Sequence, residues 1–165
     1  MHILLPQFLN STSPKGRAAE KSGSNIAMGI NRFLKKNTWL DAAILIVFIV
    51  GFTGATYNHA SDIVRDGVFP YAKRYGAPEM FNIYWTSLIL LDPFAIIVLC
   101  FNVRSGYGVA LCIMLANVSV NLFATSNYWM LPVYRNNAFM MQTAFLMFLL
   151  FTIRRVWRLS ATNIN

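Results

Sequence analysis

Residues 87–98 read SLILLDPFAIIV. Apolar side chains fill almost every position, yet an acid and a proline, Asp92 and Pro93, stand side by side at the centre. The acid brings a charge, and the proline removes a backbone donor and frees the carbonyl one turn earlier. Followed outwards, the run extends from about Met80 to Val103 (MFNIYWTSLILLDPFAIIVLCFNV). A helix of about 20 apolar residues crosses the hydrocarbon of a bilayer, so this segment is long enough to span.

Three further segments have the same character: Leu40 to Tyr57 (LDAAILIVFIVGFTGATY), Tyr107 to Ala124 (YGVALCIMLANVSVNLFA) and Ala138 to Ile153 (AFMMQTAFLMFLLFTI). The last continues into the amphipathic RRVWRL. All four are apolar on every side, which suits lipid better than water. Backbone groups in hydrocarbon must bond within their own segment, so each is expected to be helical. The expected fold is all-α, an integral membrane four-helix bundle.

Composition agrees. Of 165 residues, 56% are hydrophobic and 12% charged, against about 25% charged in a typical soluble domain. The mean hydropathy is +0.48. The net charge of +8 does not read as nucleic-acid binding, because the basic residues lie in termini and loops flanking the apolar runs. Charge placed there sets orientation. With the N-terminus inside, the inner segments hold Lys15, Arg17, Lys21, Arg32, Lys35, Lys36, Arg104, Arg154, Arg155 and Arg158; the outer ones hold Arg65, Lys73, Arg74 and Arg135. Both termini are therefore expected in the cytoplasm, in the cell (inner) membrane or, in a eukaryote, an endomembrane. The expected organisation is a flexible basic tail over 1–38, the four-span domain over 39–158 and a short cytoplasmic tail over 159–165. The opening MHILLPQFL is not expected to be a signal peptide, since Pro6 interrupts a short apolar stretch and no basic region precedes it.

Trp39, Trp85, Trp129 and Trp157 each lie near one end of a different span, as interfacial anchors would. The short RSG at 104–106 is expected to turn the second span into the third. Gly51 and Ala55 form a small-xxx-small pair, the pattern of close helix contact. Cys100 and Cys112 lie inside apolar runs and read as free thiols.

Polar groups inside the spans mark the candidate site. Asp92 is near mid-membrane, where a charge costs on the order of 3 kcal/mol on insertion scales. Asn117 and Asn121 stand one turn apart on the third span. Thr53, late in the first span, and Gln142, early in the fourth, both fall in the outer half. No basic residue lies inside any of the four segments, so Asp92 is expected to be uncharged, paired with Asn117, or wetted by a cavity. Beyond the first span, His59, Asp62 and Asp66 share one helix face at i, i+3, i+7, with Gly67 and Pro70 ending the extension. Tyr71 and Tyr75 then repeat at i+4, as residues at the interface would. A metal site needs three or four ligands, and the only other histidine is His2 in the tail; no metal, cofactor or catalytic set is expected.

Three functional readings follow. The first is non-enzymatic binding of a small amphiphile or lipid in a polar pocket lined by Asp92, Asn117, Asn121, Thr53 and Gln142, with His59 and Asp62 at its outer edge. The second is an accessory subunit docking its polar face on another membrane subunit. The third rests on a resemblance. The extension YNHASDIVRD, the outer YAK at 71–73, the proline-bearing second span LLDPFAIIVLCF, the basic turn NVRSG and the polar centre ANVSVN together resemble the EXPERA membrane domain, shared by emopamil-binding proteins and the sigma-type receptors. The likeness covers about residues 45–125. It implies a four-helix membrane bundle with a pocket for a sterol-like or cationic amphiphile, and an acid early in the second span for binding or isomerisation. Here that place reads NIYWTS, without an acid, and Asp92 is the only acid between Met80 and Val103.

The orientation is tested by single cysteines in intact cells. Ser13→Cys and Ala161→Cys should resist a membrane-impermeant thiol reagent, and Gly76→Cys should react. Rapid labelling at position 13 would reverse the topology.

Overall fold

The computed structural model of the chain describes residues 38–71, 76, 78–129 and 132–161. The basic tail over 1–37, and with it most of the expected 1–38 segment, lies outside them, as do Lys73 and Tyr75. Among the described residues there are four long helices: α1 (Trp39–Asp66), α2 (Glu79–Phe101), α3 (Val103–Ala124) and α4 (Asn137–Ala161). All four are long and apolar enough to cross a membrane. The fourth segment gains its missing length by continuing through RRVWRL, so the helix reaches into what reads as a tail over 159–165.

At about 1.5 Å per residue, the 28 residues of α1 reach about 42 Å, well beyond a hydrocarbon core of about 30 Å. The excess is the extension carrying His59 and Asp62. It stops at Gly67, whose φ of +89° favours glycine and whose N–H bonds Ile63 O at 2.9 Å.

The corner between α2 and α3 differs from the sequence expectation. RSG does not form the turn; it lies in the first turn of α3. The chain reverses at Asn102, whose side-chain oxygen accepts from the N–H groups of Arg104 (3.0 Å) and Ser105 (3.3 Å). An asparagine cap satisfies donors that the helix leaves orphaned, so a single residue suffices as linker. Gly106 serves a different purpose. A Cβ on it would lie 2.3 Å from Leu99 Cα and 2.4 Å from Leu99 N. The two backbones meet there.

α2 packs against α1 on one side and α3 on the other, and α4 packs against α3. The shared core is aliphatic and aromatic: Phe48 and Phe52 from α1, Leu88 and Leu99 from α2, Tyr107 from α3 and Leu149 from α4 are all buried. α1 and α4 meet more narrowly. The Phe145 ring covers Gly51, where a Cβ would come within 2.8 Å of it, and packs edge-on against Phe52 at 5.6 Å. The Gly51 notch thus receives a ring from α4. The outward faces stay apolar, with Ile46, Val50, Leu90, Ile97 and Phe151 exposed, a surface that water does not favour. Thr56 and Thr143 each bond back to a carbonyl one turn earlier, Phe52 O (2.9 Å) and Phe139 O (2.8 Å), whereas Thr86 reaches across to Val68 O (3.2 Å).

The end where α1 starts and α4 finishes is closed by charge. Asp41, 1% exposed, accepts from the Thr38 N–H and hydroxyl, both at 2.9 Å, and pairs with Arg155 of α4. Arg155 also donates to the Thr38 hydroxyl (2.8 Å), and Arg104 donates to Trp157 O (2.7 Å). At the opposite, far end, α3 runs on as a π-helical segment, Thr125–Trp129.

The four tryptophans do not form one belt. Trp39 and Trp157 are exposed at the terminal end. Trp85 is buried and stacks on Trp129 with ring centroids 5.7 Å apart. That pair joins α2 to the far-end segment, a packing role.

Gly106→Ala should lower stability in detergent by about 1–3 kcal/mol, because the new methyl meets backbone and not a movable side chain. Gly108→Ala, with nothing within 4 Å of its Cβ position, should be neutral. Equal melting temperatures for the two variants would refute the close approach.

Candidate functional site

α2 buries one stripe of its surface: Phe81, Asn82, Trp85, Leu88, Asp92, Ala95 and Leu99. The 3–4 residue spacing keeps these side chains on the face turned to α1 and α3. Asp92 lies on this stripe and is 1% exposed. Among the described residues its Oδ2 is buried without a hydrogen-bond partner, and the nearest cation-forming group is His59 Nε2 at 3.8 Å. That separation is longer than a hydrogen bond.

The expected Asp92–Asn117 pair does not form. The Asn117 side-chain oxygen takes the Tyr84 hydroxyl at 2.9 Å. Asp92 instead meets α1, because the continuous α1 helix carries His59 down beside it. The His59 side chain is 14% exposed.

From His59 a chain of contacts leads outwards. His59 Nδ1 lies 2.9 Å from the Tyr71 hydroxyl. That hydroxyl lies 3.2 Å from Asp62 Oδ2, and Asp62 Oδ1 accepts from Arg65 at 2.6 Å. The side chains are 1% exposed at Asp92, 14% at His59, 20% at Asp62 and 63% at Arg65, with the buried Tyr71 between His59 and Asp62. Tyr71 is buried, so it is not the interfacial residue its spacing suggested. Its ring packs edge-on against Trp85 at 5.2 Å, and its N–H donates to the buried Asn82 Oδ1 at 2.9 Å. The segment after α1 is thus pinned to α2 from both backbone and ring.

A second polar set joins α2, α3 and α4. Asn121 donates to Asn117 O (2.9 Å) and to Gln142 Oε1 (2.8 Å). Thr125 donates to Asn121 O (2.6 Å) and accepts from Asn136 (2.8 Å). Asn117, Asn121 and Gln142 do converge, as their positions suggested. Thr53 does not join them; it is exposed on α1.

Of the expected site residues, the structure groups Asp92 with His59 and Asp62, and Asn117 with Asn121 and Gln142. Sequence reasoning missed Tyr71, Asn82 and Tyr84 as members. Asn82 could have been found from its place on the 82, 85, 88, 92 stripe. The tyrosines gave no comparable signal, since a tyrosine near a helix end reads equally well as interfacial. Among the described residues no three His, Cys, Asp or Glu side chains gather as metal ligands. The arrangement can hold a proton or a cation at Asp92, and can pass a proton between neighbouring groups. No protein-family model, no curated protein sequence and no solved structure matches the chain.

Tyr84→Phe leaves the Asn117 oxygen without its donor in a buried place and should cost about 1–2 kcal/mol in thermal unfolding. Thr53→Val should cost nothing measurable. A silent Tyr84→Phe would mean that this bond contributes nothing to holding α2 on α3.

Proposed function

We propose that the chain is a multi-pass membrane protein, with both termini in the cytoplasm, that binds a small amphiphile or lipid whose polar head bears a cationic or strongly donating group. The observation that carries this reading is the buried Asp92 oxygen with no donor. A carboxyl group in low dielectric is stable only when protonated, paired or solvated. His59 stands too far away to hydrogen-bond it, so an ammonium or hydroxyl head could complete its shell. The apolar side chains that line α2 above and below Asp92 would take the ligand's hydrocarbon. The alternative of an accessory subunit calls for Asn117 or Gln142 to face a partner through the lipid. Both bond within the chain, which favours the ligand reading.

One observation speaks for an isomerase-type enzyme of the kind implied by the EXPERA resemblance. Moving a double bond needs one group to give a proton and another to take one, and His59 beside Asp92 supplies such a pair.

Three proteins and one assay test the binding reading: wild type, Asp92→Asn and Asp92→Leu, with melting temperature in detergent followed across a screen of cationic amphiphiles. Wild type should be stabilised by at least one amphiphile. Asp92→Asn should fold with a similar melting temperature and lose that stabilisation, because it keeps the shape and removes the charge. Asp92→Leu should also lose it. Equal ligand shifts in wild type and Asp92→Asn would sink the reading. Deuterium taken from D2O into a recovered sterol-like ligand would identify the enzyme instead.

A further inference from the structure

Asp92, His59, Tyr71, Asp62 and Arg65 form one unbroken file from a fully buried acid to an exposed guanidinium. Every gap in it is 3.8 Å or less. Amphiphile binding at Asp92 would not require such a file. In the other direction the structure is dry: Ala95 and Leu99 continue the α2 stripe, and Phe48, Phe52 and Tyr107 close on it, all 1% exposed or less. We propose that Asp92 is a proton-binding site with one-sided access, loaded and unloaded through His59, Tyr71 and Asp62 from the aqueous phase at the far end. Under the proposed orientation, that end is the outer face.

The hydrogen-bond geometry allows two arrangements with the same atoms. In the first, Asp62 is protonated and Asp92 is a carboxylate. Tyr71 donates to His59 Nδ1, and His59 carries its own proton on Nε2, facing Asp92. In the second, Asp62 has given its proton to the Tyr71 oxygen, and Tyr71 has given its own to Nδ1. The Nε2 proton has then passed to Asp92. Asp62 is now the carboxylate and accepts from Tyr71, Nδ1–H donates to Tyr71, and Asp92 is neutral. One proton has moved inwards, no bond is left open, and each residue between the two acids ends with the proton count it began with. An imidazole and a phenol suit this task, since each donates and accepts at once. The last step requires the His59–Asp92 gap of 3.8 Å to shorten by about 1 Å to hydrogen-bond length, within the reach of side-chain torsions.

Among the described residues, the titratable and charged groups facing the file are few. α1 contributes His59, Asp62 and Arg65, with Asp66 beside Arg65 at 3.4 Å. The connection after α1 contributes Tyr71, and α2 contributes Asp92 and Tyr84. α3 and α4 bring uncharged Asn117, Asn121 and Gln142 to this half of the structure. Arg65 holds Asp62 at the mouth, a position from which the acid can collect protons from water.

The inference goes beyond ligand binding and does not depend on the identity of any amphiphile. The full chain is reconstituted in vesicles, and the infrared carbonyl band of protonated Asp92, identified by its absence in Asp92→Asn, is followed after an acid jump on one side. An acid jump at the far-end side should raise the band. Tyr71→Phe, which keeps the ring on Trp85 and the N–H on Asn82, should slow that rise by about tenfold or more, as should His59→Gln. The same jump on the side of the termini should act no faster than passive leak. Three results would each overturn the proposal: rates within tenfold of wild type in both variants, a faster response from the terminal side, or a band that does not change between about pH 4 and pH 9. A purely structural file would shift the melting temperatures of the variants and leave the rate alone. Amphiphile-induced stabilisation, measured separately on the same variants, distinguishes failure of the proton path from failure of the binding reading.

Discussion

A polar group that leaves water must find its partner inside the chain, and in this protein that requirement bears hardest on Asp92. Backbone groups meet it by being helical. Thr56, Thr143 and Thr152 meet it by bonding a carbonyl one turn back. Asn117, Asn121 and Gln142 meet it by bonding one another and Tyr84. Asp92 Oδ2 does not meet it by hydrogen bonding at all. Its surroundings are arranged accordingly: a histidine beyond hydrogen-bond length, then a tyrosine and a second acid leading to the surface. A buried carboxylate oxygen without a hydrogen-bond donor calls for an explanation, and function is one.

The two ends of the molecule use charge differently. At the terminal end Asp41 and Arg155 are locked together with Thr38, and Arg104 holds the last turns of α4 through Trp157 O. A buried carboxylate whose oxygens are all engaged by donors contributes rigidity and register. This clasp joins α1 to α4, which otherwise share little more than the Phe145 ring lying over Gly51 and Phe52. At the far end the charged groups form a file instead of a knot, graded in exposure. The same residue types thus serve to close one end and to open the other.

Helix length makes the second arrangement possible. α1 outruns the other helices because its sequence stays helical through YNHASDIVRD until Gly67. The excess turns bring His59 and Asp62 beside α2, and the chain then folds back so that Tyr71 inserts between His59 and Trp85.

The sequence alone determined the four apolar helices, the extension of α1 and its stop at Gly67, the inward convergence of Asn117, Asn121 and Gln142, and the singularity of Asp92. These depend on composition and on the 3.6-residue period, both written in the order of residues. It did not determine partners. Asn117 was the natural mate for Asp92 by depth in the membrane, but the rotation of α2 gives Asn117 to Tyr84 and turns Asp92 towards His59. Trp85 and Trp129 read as interfacial anchors, yet they stack on each other because the π-helical segment carries Trp129 back over α2. The α2–α3 corner moved from RSG to Asn102, since a side-chain cap replaces a glycine turn. Depth along a helix is a property of sequence; rotation about its axis is set by which neighbours it packs against, and only the tertiary structure fixes that.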